Sequence, residues 1–459
     1  MRSLLYFPLH VMTVVAHASG HGQNEVCAFN SLFVQHSSGG PEYAAELQLQ
    51  PSLETADEDI LRQLASDAIS CRNGTLCDAP RVQNWTSSLP CIKGIFSDEE
   101  ICVFTDSNFA QGRGISLVTT PARAQFIASQ PAFTSSALIK NVNPDRAHTI
   151  PANYKMKEIP GKGMGLEAIR HMKQGQLIMA NTPSLMIDYR SFEWLPLQDH
   201  QLLQTMAVEY LPEAHQAAIM QLSTHDDVTD MPKDEIISKI TSTNSFDITP
   251  HREDLEQDYK LFTLFPDIAR LNHDCRPNAA YRFDHATMTQ KIHALRDILP
   301  GEELTLSYTN PSVSRRERQD RLKRLWGFQC GCKSCTQNER RGKESDDRVA
   351  QINSLKPKFT DYPSTATAAM AELLINLSRQ EGLWETIYLP YTYAALKYNS
   401  IGESSMAVKH AHMAMQYGLP LVGNEHSYMI EMATLVDKPS EHWSWRTSLG
   451  QSINVVIEE

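Results

Sequence analysis

Residues with the means to do chemistry crowd into four stretches between Gly161 and Cys335. Cys330-Gly331-Cys332-Lys333-Ser334-Cys335 places three thiols within six residues. That spacing suits a structural zinc ion, which takes four ligands and so needs one more; disulfide pairing is the alternative. Asn272-His273-Asp274-Cys275-Arg276-Pro277-Asn278 sets polar side chains against apolar Ile268-Ala269-Arg270-Leu271. Buried polar groups there must find partners, and the plainest reading is a capped helix end with a satisfied histidine. Gly161-Lys162-Gly163-Met164-Gly165 lacks the Lys-Ser or Lys-Thr ending of a phosphate loop and opens no helix, so neither nucleotide fingerprint applies. It reads as a tight hairpin, or as a turn whose glycines let backbone approach a ligand. Tyr308 closes Glu303-Leu304-Thr305-Leu306-Ser307-Tyr308. A tyrosine at a strand end is usually a packing residue.

In their order along the chain and with these gaps, the four stretches resemble SET-domain protein lysine methyltransferases, over about Tyr154 to Thr336. Thr243-Asn244-Ser245-Phe246 looks like the Asn-Ser-Phe segment of the SET-and-MYND subfamily. The MYND finger itself needs clustered Cys and His ligands, and no cysteine lies between Cys102 and Cys275. The N-terminal unit, with Cys102-Val103-Phe104-Thr105 and Gly112-Arg113-Gly114-Ile115-Ser116-Leu117, is similar to extensions on fungal SET-domain proteins.

The resemblance implies an S-adenosyl-L-methionine-dependent enzyme that methylates a lysine of a histone or other protein. It places the cofactor against Lys162, Gly163, Met164 and Gly165, with Asn244, Asn272, the backbone of His273, Tyr308 and Phe328 completing the site. Tyr308 is then the catalytic residue and Trp326 lines the lysine channel. Cys275 joins Cys330, Cys332 and Cys335 on a structural zinc, and the Asn-His segment threads a loop as a pseudoknot. The subfamily usually has tyrosine near the Trp326 position, which leaves the degree of methylation open. Since the cofactor carries the electrophile, the protein's work is orientation and desolvation; a sulfonium beside the lysine favours its neutral amine. No histidine or carboxylate stands out as a dedicated base. The competing reading is a catalytically weak SET-fold scaffold that binds partner proteins through its helical C-terminus.

The elements that must position these residues read as α+β. Tyr154 to Ile159, Gly163 to Ala168, Gln176 to Ala180, Ile292 to Leu295 and Leu304 to Ser307 have strand character. A helical insertion over about 190–265 interrupts them: Pro196 to Leu222 is helical, with Leu202, Met206, Tyr210 and His215 near one face. A further helix begins around Asp254, and Phe262 to Leu271 is helix-like. The domains expected are a SET domain over 151–310, a post-SET zinc segment over 311–336 and a helical, weakly TPR-like C-terminal domain over 337–459. In the last, helices are expected over Ala368 to Gln380, Tyr391 to Tyr398 and Ser404 to Tyr417, stopping at Gly418. Asn338 to Arg348 reads as a solvated linker or a helix start.

Residues 21–150 form a Cys-containing extension, with a helix over Asp57 to Ser70 and a strand over Ile115 to Thr120. Cys27, Cys71, Cys77, Cys91 and Cys102 are an odd set, so at most four pair among themselves. Residues 1–20 resemble a secretory signal peptide, with Arg2, an apolar run from Leu4 to Ala16 and an Ala16-His17-Ala18 site. The sequons at Asn73 and Asn84 agree with that, whereas SET chemistry implies nucleus or cytoplasm. At 459 residues the chain exceeds one core. Its net charge of −12 speaks against direct nucleic-acid binding, no segment reaches transmembrane length, and a monomer is expected.

Overall fold

The computed structural model describes residues 85–95, 97–139, 142, 153–224, 227–248, 260–361 and 364–448. The signal-peptide reading of residues 1–20, the 57–70 helix, both sequon asparagines, Cys27, Cys71, Cys77 and the start of a helix at Asp254 lie outside them. Strands and helices mix in sequence, as the α+β reading required, and among the described residues the strands form three sheets.

The largest sheet takes strands from both sides of residue 150. β1 (Ser87–Lys93), β2 (Glu100–Asp106) and β3 (Ile115–Thr119) form an antiparallel meander. After helix α1 (Pro121–Ala128), whose Pro121 sits in the first turn, come two further strands of the hairpin region, β4 (Tyr154–Ile159) and β5 (Gly163–Ala168), then β6 (Leu177–Asn181) and β7 (Leu185–Asp188). β7 lies parallel to β3 and so joins the meander to the later part of the chain. Burial explains the join: every residue of β3 and β7 is buried, and strands buried on both faces need neighbours on both edges. Arg113, itself buried, reinforces it by donating from Nη2 to Asp267 Oδ2 at 2.6 Å. The Cys91–Cys102 disulfide links directly opposed residues of β1 and β2.

Between β7 and the next strand the chain is helical: α2 (Leu197–Glu209), α3 (Glu213–Met220) and α4 (Lys233–Asn244). The continuous helix expected over Pro196 to Leu222 is two helices, because Pro212 cannot donate to the turn before it. The buried face also differs. His200, Leu203, Gln204, Ala207 and Val208 face inward, whereas Leu202 is 39% and Tyr210 47% exposed. β8 (Phe246–Ile248) and β9 (Leu261–Leu264) follow and complete the order β1-β2-β3-β7-β9-β8. Phe262 to Leu271 is therefore not helical. Its first part pairs between β7 and β8, Pro266 disfavours helix at Phe265, and only Ile268–Arg270 makes a single 3₁₀ turn.

β10 (Asn272–His273), β11 (Ala279–Asp284), β12 (Thr289–Ala294) and β13 (Glu303–Leu306) close the strand region. β11-β12-β6 is one small sheet and β10-β13-β5-β4 the other. Leu166, Met172, Met179, Phe265, Ile292 and Leu304 pack the core between them.

From Arg315 on, the described residues form helices joined by turns and loops, with no strand among them. α5 (Arg315–Trp326) opens on a capping box between Ser314 and Glu317 and ends on Gly327 at φ 70°. α6 (Glu339–Leu355), α7 (Ala368–Glu381), α8 (Tyr388–Ser400), α9 (Ser404–Val422) and α10 (Ser427–Asp437) surround their own core, centred on Leu374, Ile387, Ala394, Ala411 and Met432. The charged stretch from Asn338 is a helix start, with Asn338 as its cap. α9 does not stop at Gly418. A Cβ there would fall 2.6 Å from Met429 Cε, so that glycine serves helix packing, and Gly423 at φ 82° ends the helix. Among the described residues no helix is long and apolar enough to cross a membrane.

A buried carboxylate ties this helical region to the strands. Glu381 at the end of α7 accepts from Arg276 Nη2 at 2.9 Å, Arg348 Nε at 2.6 Å and Ser345 Oγ at 2.6 Å. Arg276 also donates to the carbonyls of Cys275 at 2.8 Å and Pro311 at 2.9 Å.

Candidate functional site

The β4–β5 hairpin turns on Gly161 and Gly163, both near φ +75°, a conformation in which a Cβ is disfavoured. Beyond the turn, the need for glycine at Gly165 is steric. A Cβ there would lie 2.6 Å from Asn272 Nδ2 and 2.7 Å from Ile159 Cγ1. β13 pairs antiparallel with β5 and parallel with β10, so Glu303 faces Glu167 while Asn272 lies beside Thr305. Two adjacent carboxylates repel, and each has its own cations. Glu167 takes Lys155 and Lys157; Glu303 Oε2 accepts from Lys162 Nζ at 2.7 Å. Glu303 Oε1 also accepts from Asn272 Nδ2 at 3.0 Å. Lys162 Nζ lies 3.4 Å from the His273 carbonyl. Hairpin tip, strand β10 and strand β13 thus meet at one polar junction.

Tyr308 lies just past β13. Its backbone N–H donates to His273 Nδ1 at 2.9 Å, which makes Nδ1 an acceptor and leaves the ring proton on Nε2, 3.3 Å from Cys275 Sγ. The Tyr308 phenol donates to the Leu271 carbonyl at 2.8 Å. Burial, with a smaller effect of the Glu303 charge, pushes this phenol well above its ordinary pKa of 10.0, so it stays protonated at neutral pH. Its ring stands 5.3 Å from that of His273 and 5.4 Å from that of Trp326, and Phe328 stands 6.1 Å from His273. Asn272, His273, Tyr308, Trp326 and Phe328 therefore share one neighbourhood.

Beneath it lie the four free, buried thiols of Cys275, Cys330, Cys332 and Cys335. Their sulfurs all fall within 4.8 Å of one another, with Cys275 3.5 Å from Cys335 and 4.0 Å from Cys330. Tetrahedral zinc at Zn–S of about 2.3 Å puts sulfurs about 3.8 Å apart, so the donor set fits that ion, and no disulfide forms among the four. Their chemistry agrees. Hydrogen bonds from Cys275, then Cys330 and Cys335, hold the Cys332 thiol far below its usual range, while its partners, Cys330 foremost, push Cys275 far above. Four sulfurs this close could all ionise only with a divalent cation among them. α5 supports the cluster. The Gln319 side chain donates to the Cys330 carbonyl at 2.8 Å and accepts from its N–H at 2.9 Å, and Arg318 is fully buried beside Cys275 and Cys335.

Asn244 does not join this neighbourhood through its side chain. It ends α4, and its amide donates to the carbonyls of Ser223 at 2.9 Å and Ile240 at 2.8 Å. Sequence reasoning also missed Glu303, Gln319, Arg318 and Glu381. Glu302-Glu303 gives no local sign of which carboxylate turns inward. In the fold, Glu302 pairs with Arg296 while Glu303 reaches Asn272.

Comparison with known proteins shows what this region is similar to. Residues 163–309 match the SET domain model. The chain is 33% identical over 127 residues to N-lysine methyltransferase SMYD2-B of Danio rerio, covering 28% of each protein. It is 28% identical over 219 residues to histone-lysine N-methyltransferase set5 of Schizosaccharomyces pombe, covering 47% of this chain and 59% of that one. It is also 45% identical over 74 residues to histone-lysine N-methyltransferase SET5 of Meyerozyma guilliermondii, covering 16% of this chain and 15% of that protein. The chain thus spans less than two thirds of the length of each of these relatives. Strands β4 to β13, the hairpin and the Asn-His segment lie within or beside the matched region, and this part of the chain is similar to a SET domain.

Proposed function

We propose that the protein is an S-adenosylmethionine-dependent protein-lysine N-methyltransferase. The observation that carries the reading is the convergence of the Gly161–Gly165 turn, Asn272, His273, Tyr308, Trp326 and Phe328 on one neighbourhood, supported by relatives whose names are those of lysine methyltransferases. No observation favours the scaffold alternative.

The cofactor, when bound, supplies an activated methyl group on a sulfonium. The chain's residues then hold and orient. The glycine turn from Lys162 to Gly165 offers backbone, Asn272 offers its amide, and the ring of Phe328 offers a face for the adenine. Asn244, on this reading, contributes by moving its amide away from Ser223 and Ile240. Tyr308 has committed its proton to the Leu271 carbonyl, so its oxygen lone pairs are available to accept from a lysine amine. A phenol that resists ionisation orients a neutral amine without competing for its proton. Trp326, 5.4 Å from Tyr308 between ring centres, walls the lysine channel.

The four cysteines would hold a structural zinc that keeps Trp326 and Phe328 over the site. Threading of the Asn272–Asn278 segment as a pseudoknot, a SET domain over 151–310, a post-SET segment over 311–336 and a TPR-like helical domain after it belong to the same reading. So do a SET-and-MYND-like placement without the MYND finger, a monomeric state, a protein lysine and not nucleic acid as substrate, and action in nucleus or cytoplasm.

The test is calorimetric titration of zinc-replete protein with S-adenosylmethionine, with Asn272→Ala as control. Micromolar binding that the variant loses supports the reading; no binding by folded wild-type protein refutes it.

A further inference from the structure

We infer that Glu303 is a positioning residue that fixes the amide orientation of Asn272, so that its carbonyl oxygen faces the cofactor and selects an ammonium group there. The inference deepens the proposed function and rests on its cofactor assignment.

An asparagine amide has one accepting and one donating end, and which end faces a ligand is decided by the neighbours of the other. Here the donating end is committed. Asn272 Nδ2 donates to Glu303 Oε1 at 3.0 Å and lies 3.5 Å from the Met164 carbonyl. Both neighbours are pure acceptors, so the flipped amide would set oxygen against oxygen at each. Oδ1 is the end left for a ligand, and an oxygen recognises a donor. Of the groups that S-adenosylmethionine carries, its α-ammonium is the strongest donor.

Glu303 is held in place for this task. Lys162 Nζ binds its second oxygen at 2.7 Å, which neutralises the carboxylate and stops it from turning away. Pairing of β13 with both β5 and β10 fixes its backbone. Gly165 leaves the space through which Asn272 reaches it, since a Cβ there would meet Nδ2 at 2.6 Å. Neighbouring Glu302 cannot substitute, because its carboxylate is paired with Arg296 and the Leu299 N–H.

The test compares two ligands on full-length, zinc-replete protein. S-adenosylhomocysteine carries the amino-acid group, and 5′-deoxy-5′-methylthioadenosine lacks it. In Glu303→Gln the side chain keeps its size but can offer N–H to Asn272 and no longer holds Lys162. We expect S-adenosylhomocysteine to bind about tenfold more weakly, the scale of losing one charge-assisted hydrogen bond, with methylthioadenosine affinity unchanged. Glu303→Asp, which keeps the acceptor, should recover part of the loss. Equal weakening for both ligands would mean a structural role only and overturns the inference, as does unchanged affinity for both. Wild-type protein that binds neither ligand overturns the cofactor assignment itself.

Discussion

Glu381→Gln gives the sharpest test of how the helical region supports the site. Glu381 accepts three hydrogen bonds, from Arg276, Arg348 and Ser345. Removing the charge leaves two guanidiniums without their counterion. Breaking a buried pair this way costs about 3–5 kcal/mol. Part of that is recovered here, since Arg348 is 31% exposed and can be hydrated, and Arg276 retains the Cys275 and Pro311 carbonyls. The net expectation is about 2–4 kcal/mol, or about 5–10 °C in the first thermal transition.

The pH dependence makes the prediction specific. Burial pushes the Glu381 carboxyl up, but Ser345, Arg276 and Arg348 outweigh it and hold the group below its usual 4.5. A depressed folded-state pKa contributes stability that is complete above the unfolded-state value and lost as pH falls through the folded one. The gap between wild type and variant should therefore stay level from about pH 8 to about 5.5 and close below about 4.5. Differential scanning calorimetry at one heating rate across this range measures it. A variant within 1 °C of wild type at about pH 7, or a gap that widens on acidification, refutes the reasoning.

The other predictions concern the site directly. Tyr308→Phe should retain cofactor affinity by calorimetry while single-turnover methylation falls about 10²- to 10³-fold, the scale of losing one oriented polar group; unchanged turnover removes the phenol from the mechanism. Cys332→Ser should lower zinc content well below one per chain by metal analysis and cause aggregation, and a zinc-replete, active variant would contradict the tetrathiolate reading. Gly165→Ala should cost about 1–3 kcal/mol from overpacking against Asn272 and Ile159, and should weaken cofactor binding more than a surface substitution such as Lys333→Ala; equal affinities would show that Asn272 need not lie where it does.

The sequence by itself determined features whose cause is local. The strand characters of Tyr154 to Ile159 and Gly163 to Ala168, the turn between them, the Cys330-x-Cys332-x-x-Cys335 cluster and the α-helical run after Asn338 each depend on residues a few positions apart. Resemblance added the association of Asn272, Tyr308 and Cys275 with that cluster, which spacing alone could not supply. Tertiary structure decided whatever depends on a partner far along the chain. Phe262–Leu264 is a strand because β7 and β8 flank it, against its helix-like composition. Gly418 is a packing glycine because Met429 and Tyr388 press on it. The joining of β3 to β7 across residue 150, and the choice of Glu303 over Glu302 to meet Asn272, have the same origin. Local propensities differ by under about 1 kcal/mol per residue, whereas a buried pairing or an unpaired buried charge is worth several, so where the two conflict the distant partner prevails.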